Sequence, residues 1–155
     1  MIRRLLERLP HDEISSLEDP HRMPYMRRYY ILRSRWLNVR VHEILRDDEG
    51  RALHNHPWDF LSVGLVGSYL EERPTREWLN FPVGLPKTKP RVKVAPWFIV
   101  RPASTLHRLD LLSPVVWTLV VTGPKRREWG FQTESGWIHW RDYADAMDET
   151  MADAA

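Results

Sequence analysis

Cysteine is absent from the 155-residue chain. That excludes a disulfide framework, a thiolate metal site and a cysteine nucleophile. Long apolar runs are missing too. The longest, interrupted by Thr118, covers residues 115–121, well short of the roughly 18 residues a membrane-spanning helix needs. Residues 1–10 carry three arginines and Glu7, too much charge over too short a stretch for a secretory signal. A cytoplasmic protein with no membrane partner is the expectation. Nor does one sign of charge dominate: Lys+Arg is 23 against Asp+Glu 21, a net of +2. Nucleic-acid binders gather positive charge along one face. Here the basic runs are short, Arg27-Arg28 and Lys125-Arg126-Arg127 among them. Both read as solvated surface, and no nucleic-acid partner is expected. There is no P-loop, no GxGxxG, no Ser-His-Asp order, no zinc-finger spacing and no internal repeat.

What is present belongs to a folded domain. Hydrophobic residues are 43% and charged residues 28%, which are globular values. The length sets an expectation of one domain over residues 1–155. Eight tryptophans and twelve prolines stand out. Proline spread through a chain favours many short elements separated by turns.

Hydrophobic spacing gives the elements. Ile2, Leu5, Leu6 and Leu9 fit a short amphipathic helix, which Pro10 ends. Residues 11–24 read as loop. Residues 29–32 and 39–45 read as strands, the second with apolar and polar residues alternating. Residues 47–50 form a turn. Residues 60–69 are one β-rich run containing Gly64 and Gly67. Residues 77–81 fit a short strand, and the proline-marked stretch 82–90 a loop. Residues 92–94, 97–100, 107–112 and 115–122 are further strands. Residues 130–140 fit a hairpin turning near Glu134-Ser135-Gly136. Residues 142–155, acidic and without a base, fit a weak terminal helix or frayed tail. Eight to ten short strands predict an all-β barrel or sandwich, of which a jelly roll fits the count.

Three of the seven histidines carry a pattern. His54 and His56 form His-Asn-His before a β run. In an extended chain, residues two apart face the same side, and imidazole pairs bind Zn, Cu, Fe or Ni. After them come Pro57-Trp58-Asp59-Phe60 and, later, Gly67. About fifty residues on, Pro102-Ala103-Ser104-Thr105-Leu106-His107 follows the strand at 97–100. Together these resemble the two-part signature of the cupin superfamily. In the first part, two histidines precede a glutamate and then a glycine. In the second, a proline leads to a third histidine. The resemblance covers roughly residues 39–122. It implies a double-stranded β-helix, a jelly-roll barrel with a core over about residues 29–140 and short terminal helices. The phrases around Trp117-Thr118-Leu119 and Trp129-Gly130-Phe131 are also similar to those of small single-domain cupins of bacteria and phages.

The departures narrow the site. Phe60 or Leu61 stands where the family places its glutamate ligand, and neither binds metal. Asp59 is one residue early, so strand parity points it away unless a bulge re-aims it. Pro96 and Leu111 replace the second part's glycine and asparagine. The resemblance therefore implies three metal ligands, His54, His56 and His107, with Asp59 a doubtful fourth. Such a set is similar to the three-histidine iron site of thiol dioxygenases and leaves positions for small ligands. An Fe(II) enzyme of dioxygenase type, acting on a small molecule, is the leading expectation. Zn, Mn or Ni are alternatives. So are non-oxidative isomerase, lyase or hydrolase chemistry and a non-catalytic small-molecule-binding module. A homodimer is plausible for a barrel of this kind.

Other residues admit two readings each. Ser62 and Gly64 share the face of Phe60 and either leave space beside the metal or serve packing. Arg101 is a clamp for a substrate anion or a surface residue, and Arg108 should point away from His107. Tyr69 is a catalytic phenol or packing at the barrel mouth. His42 is a partner behind the ligands or a hydrogen-bonded structural residue. Trp97 and Trp117 read as core. Trp129, Trp137 and Trp140 read as a cover for one barrel end or a subunit interface.

Overall fold

The computed structural model describes residues 2–15, 23–48, 52–80, 82 and 84–153. Its first layer is a sheet of six strands. Strand β1 (His11–Ser15) pairs with β2 (Pro24–Arg33), and β2 with β3 (Asn38–Ile44). The order continues through β10 (Val116–Thr122) and β5 (Phe60–Val66) to β8 (Trp97–Arg101). The most apolar run in the sequence thus becomes a central strand, paired on both edges and covered on both faces. Val116, Trp117, Thr118, Val120 and Thr122 are all buried, as a strand with two covered faces requires.

The second layer is built from two three-stranded sheets. In one, β6 (Ser68–Pro74) lies between β7 (Thr88–Val94) and β9 (Arg108–Leu111). In the other, β11 (Gly130–Thr133) lies between β12 (Gly136–His139) and β4 (Leu53–His54). Among the described residues a single antiparallel bridge, His54 to His107, joins the two. Its amides and carbonyls bond reciprocally, at 3.0 and 2.9 Å. The second layer is therefore a six-stranded surface with a seam one residue pair wide. The layers do not close into a continuous barrel, but the arrangement is the expected all-β jelly roll.

Two cores hold it together. Between the layers, Tyr25, Met26, Ile44 and Val116 pack with Tyr69, flanked by Leu109 and Leu111. On the outer face of the first sheet, Tyr29, Val41 and Trp117 are covered by Leu6 and Leu9. Leu6 ends α1 (Ile2–Leu6). The amphipathic N-terminal helix is real, though shorter than its apolar spacing predicts.

Four local expectations are corrected. Residues 11–15 form a strand rather than loop. Their polar side chains suit an exposed edge: Glu13 pairs with Arg27 at 2.7 Å and Asp12 accepts from the Tyr30 hydroxyl at 2.5 Å. The rest of that expected loop that lies in residues 16–22 is outside the described residues, as are residues 49–50 of the expected turn. The run 60–69 is two strands, broken at Gly67, whose φ of 87° turns the chain from the first layer into the second. A Cβ there would meet the Val115 carbonyl oxygen at 2.4 Å. Residues 76–80 form helix α2 (Arg76–Asn80), not a strand. The Thr75 hydroxyl accepts from the Trp78 amide, capping the helix, and Glu77 sits in its first turn. Phe81, the last residue of that expected strand, lies outside the described residues. Strand β7 begins at Thr88, inside the expected loop, and tolerates Pro90 because it is a sheet edge. The expected C-terminal hairpin forms with its turn at residues 134–135, followed by helix α3 (Trp140–Asp153). Among the described residues no helix is long and apolar enough to cross a membrane.

Candidate metal centre

His54 ends β4, His56 follows it by two residues, and His107 immediately precedes β9. The seam bridge sets the first and third opposite each other, and strand parity puts His56 on the face of His54. One ring nitrogen from each lies within 4.8 Å of the others. Ring centroids are 5.2 Å apart for His54–His56, 4.9 Å for His54–His107 and 5.0 Å for His56–His107. The Nε2 atoms of His56 and His107 are 2.8 Å apart. Two nitrogens that close share a proton or a cation, because two unopposed lone pairs would repel.

Carboxylates stand behind two of the rings. Glu71, on β6, is fully buried, with Oε1 3.4 Å from Nδ1 of His107. That is electrostatic reach without hydrogen-bond alignment. Arg101 grips the same carboxylate at 3.0 and 3.3 Å. Burial pushes the Glu71 carboxyl up, but His107 and Arg101 outweigh it and hold the group down at about 2. Asp48 is 1% exposed, with Oδ2 3.8 Å from Nδ1 of His54. It is fixed by the Tyr25 hydroxyl at 2.5 Å and the Leu109 amide at 2.9 Å. A carboxylate behind Nδ1 favours the tautomer that presents a lone pair on the other nitrogen. Burial, then His107 and His54, hold the His56 imidazole well below its ordinary range, so it is neutral near pH 7. Three imidazoles converging from fixed backbones fit a divalent metal ion.

The expected residues divide clearly. Asp59 points away, as parity predicts. Its Oδ1 accepts from the Ala103 amide at 2.8 Å and its Oδ2 meets Arg126 at 2.8 Å. It anchors the loop that leads to His107. Phe60 packs edge-on against His56 at 4.8 Å. Gly64 serves packing: a Cβ there would sit 2.3 Å from the Trp97 indole. Ser62 does line the cavity beside the histidines. Arg101 is neither a surface residue nor a free clamp, being committed to Glu71. Arg108 points outward to Glu72 at 3.1 Å. Tyr69 is buried against Trp97 at 5.3 Å, and burial and Glu71 push its phenol up. Trp117 is core as expected, whereas Trp97 is half-buried and lines the cavity. Trp129 and Trp140 stack at 5.5 Å beside the β11–β12 end.

Two basic residues overturn expectation. Arg28 belongs to a run expected to be solvated surface, yet its Nε is buried and the side chain lines the central cavity. His42 also lines it, with Nε2 buried and without a hydrogen-bond partner. Sequence reasoning passed over Glu71, Asp48 and Arg40 altogether. Parity offered a signal for Glu71, which shares the inward face of Tyr69. For Asp48 no local signal existed.

No protein-family model and no curated protein matches the sequence. Solved structures do match. The Fe(II) form of HppE aligns at a TM-score of 0.54 and 12% identity, over 75% of this chain and 57% of that one. Its complex with substrate aligns at 0.55. KdgF from Halomonas sp. aligns at 0.53 and 15% identity, over 77% of this chain and 92% of that one. The chain spans a little over half the length of HppE. The likeness is one of fold, and the fold of this chain is a cupin-type double-stranded β-helix.

Proposed function

We propose that the chain is a single-domain metal-dependent cupin enzyme, with His54, His56 and His107 as ligands and Fe(II) as the working metal. The observation that carries the reading is the convergence of three imidazoles on one end of a small internal cavity. Glu71 and Asp48 orient two of them, the arrangement that metal-binding histidines use. Bound there, Fe(II) would supply redox chemistry toward dioxygen and a small organic substrate. The chain's own part is to hold the ligand rings, to shut out water with Phe60, Trp97 and Tyr69, and to orient the substrate. HppE, an Fe(II) protein solved with substrate, shares the fold and supports iron over other metals.

The test is elemental analysis of untagged protein beside His56→Ala. Near-stoichiometric iron in the parent, lost in the variant while the fold is kept, is the expected result. Oxygen uptake in a screen of small acids then follows. Absence of metal after reconstitution overturns the assignment, and bound metal without oxygen uptake overturns the oxygenase reading. The outer face of β8 exposes Phe98 and Val100, with Leu65 and Val66 exposed on the neighbouring β5. This apolar strip supports a homodimer, which sedimentation of the parent beside Phe98→Asp would check.

A further inference from the structure

The central cavity has a second charged end. Its free volume is about 100 Å³, below the roughly 150 Å³ that admits a benzene molecule. Its lining includes four histidines and two arginines, with no aspartate or glutamate. Both arginines come from the first sheet by simple alternation. Arg28 pairs in register with His42, and Tyr30 with Arg40, on β2 and β3. His42 and Arg40 in turn face Thr118 and Val120 of β10. One sheet face therefore carries Arg28, His42 and Arg40 toward the histidine cluster of the opposite layer.

The two arginines are incompletely compensated: Tyr30, whose hydroxyl donates to Asp12, stands by Arg40, and burial keeps His42 uncharged beside them. Arg40 is 5% exposed. Its Nη2 donates to the Thr122 hydroxyl at 3.1 Å and its guanidinium lies 4.6 Å over the Trp58 ring. The Nε atoms of Arg28 and Arg40, and Nε2 of His42, are buried without a hydrogen-bond partner. Among the described residues neither arginine makes an ion pair. A buried guanidinium without a direct carboxylate partner is costly unless something anionic completes it. Trp58 links the two ends, because its ring also stacks on His56 at 6.3 Å.

We infer that Arg28, Arg40 and His42 form an oxyanion subsite. It holds the carboxylate or phosphonate head of a substrate of only a few carbons, whose other end reaches the histidine cluster. The inference deepens the proposed function by naming its substrate class, and its anion-binding half stands whether or not a metal binds. Guanidinium groups recognise both heads with paired N–H donors. A cavity this small leaves room for little else.

The experiment is calorimetric titration of chelator-treated protein with acetate, methylphosphonate and the uncharged acetamide. The parent should bind at least one anion and not acetamide. The preferred anion tells a carboxylate head from a phosphonate one. Arg40→Met should weaken that binding by about tenfold or more. Arg28→Met, at a half-buried and therefore more tolerant position, should do the same if Arg40→Met fails to fold. His56→Ala should keep anion binding while losing metal, which separates this inference from the ligand assignment. Binding of acetamide equal to acetate overturns the subsite. So does anion binding unchanged in Arg28→Met, or no anion binding by the folded parent.

Discussion

Replacing Glu71 with glutamine tests the centre at its least exposed point. The change keeps the side-chain shape and removes one charge. Arg101, only 13% exposed at its side chain, would lose its partner. Removing one member of a buried ion pair costs about 3–5 kcal/mol, and the partial exposure of Arg101 places this case near 3. His107 would also lose the carboxylate behind Nδ1, and loss of such a partner weakens metal affinity by about 10–100-fold. Urea unfolding of chelator-treated protein reads the first effect, and metal competition against a chelator reads the second. The pH dependence has a definite sign. The Glu71 carboxyl sits at about 2 in the folded chain against an ordinary 4.5. Its stabilisation is therefore complete above pH 4.5 and fades as pH falls toward 2. The stability gap between parent and Glu71→Gln should close over that same window. Adding Arg101→Met to the variant should restore stability by removing the orphan charge, and leave metal affinity low. Unchanged metal affinity in Glu71→Gln would refute the orienting role. Recovery of affinity in the double variant would make Glu71 a scaffold residue alone.

Asp59→Asn should leave metal content unchanged, because the side chain faces Ala103 and Arg126. The lost pair with Arg126 is exposed and contributes at most about 1 kcal/mol; elemental analysis with thermal unfolding checks both statements. Gly64→Ala should destabilise by about 1–3 kcal/mol through overpacking against Trp97. Displacement of that indole should appear as a shift in tryptophan fluorescence on the folded variant.

Much of this was legible in the sequence because the signals were local. Alternation marked β3, the apolar run marked β10, and the ordered spacing of His54, His56 and His107 marked the cluster. Strand parity alone placed Asp59 outside it. The misreadings arose where a local pattern had two solutions. Residues 77–81 look extended until the Thr75 hydroxyl caps a helix turn. Arg27 and Arg28 look like one basic run, but neighbours on a strand face opposite sides. Arg27 turns to Glu13 and Glu43, at 2.7 and 3.3 Å, while Arg28 turns into the cavity. Glu71 and Asp48 escaped notice because their roles depend on partners 36 and 6 residues away in sequence, brought close only when the second layer assembles. An acid beside other acids, as Glu71 is beside Glu72 and Asp48 beside Asp47, looks like surface until the fold buries it.

The seam itself yields the last prediction. Among the described residues the two halves of the second layer meet through one pair of backbone hydrogen bonds, between His54 and His107. Both residues are also proposed ligands, so one metal ion would tie the backbone pair through its side chains as well. A ligand that binds only the folded chain stabilises it by about 2.7 kcal/mol at a concentration 100 times its Kd. Part of that gain should appear at the seam, because opening the bridge would pull two ligands apart. Hydrogen exchange of the His54 and His107 amides should slow when Fe(II) or Zn(II) is added anaerobically. In Asp59→Asn the same slowing should occur, and in His56→Ala it should be lost together with the metal. Global stabilisation with unchanged exchange at these two amides would show that the metal leaves the seam untouched, and would sink the coupling between ligation and sheet closure.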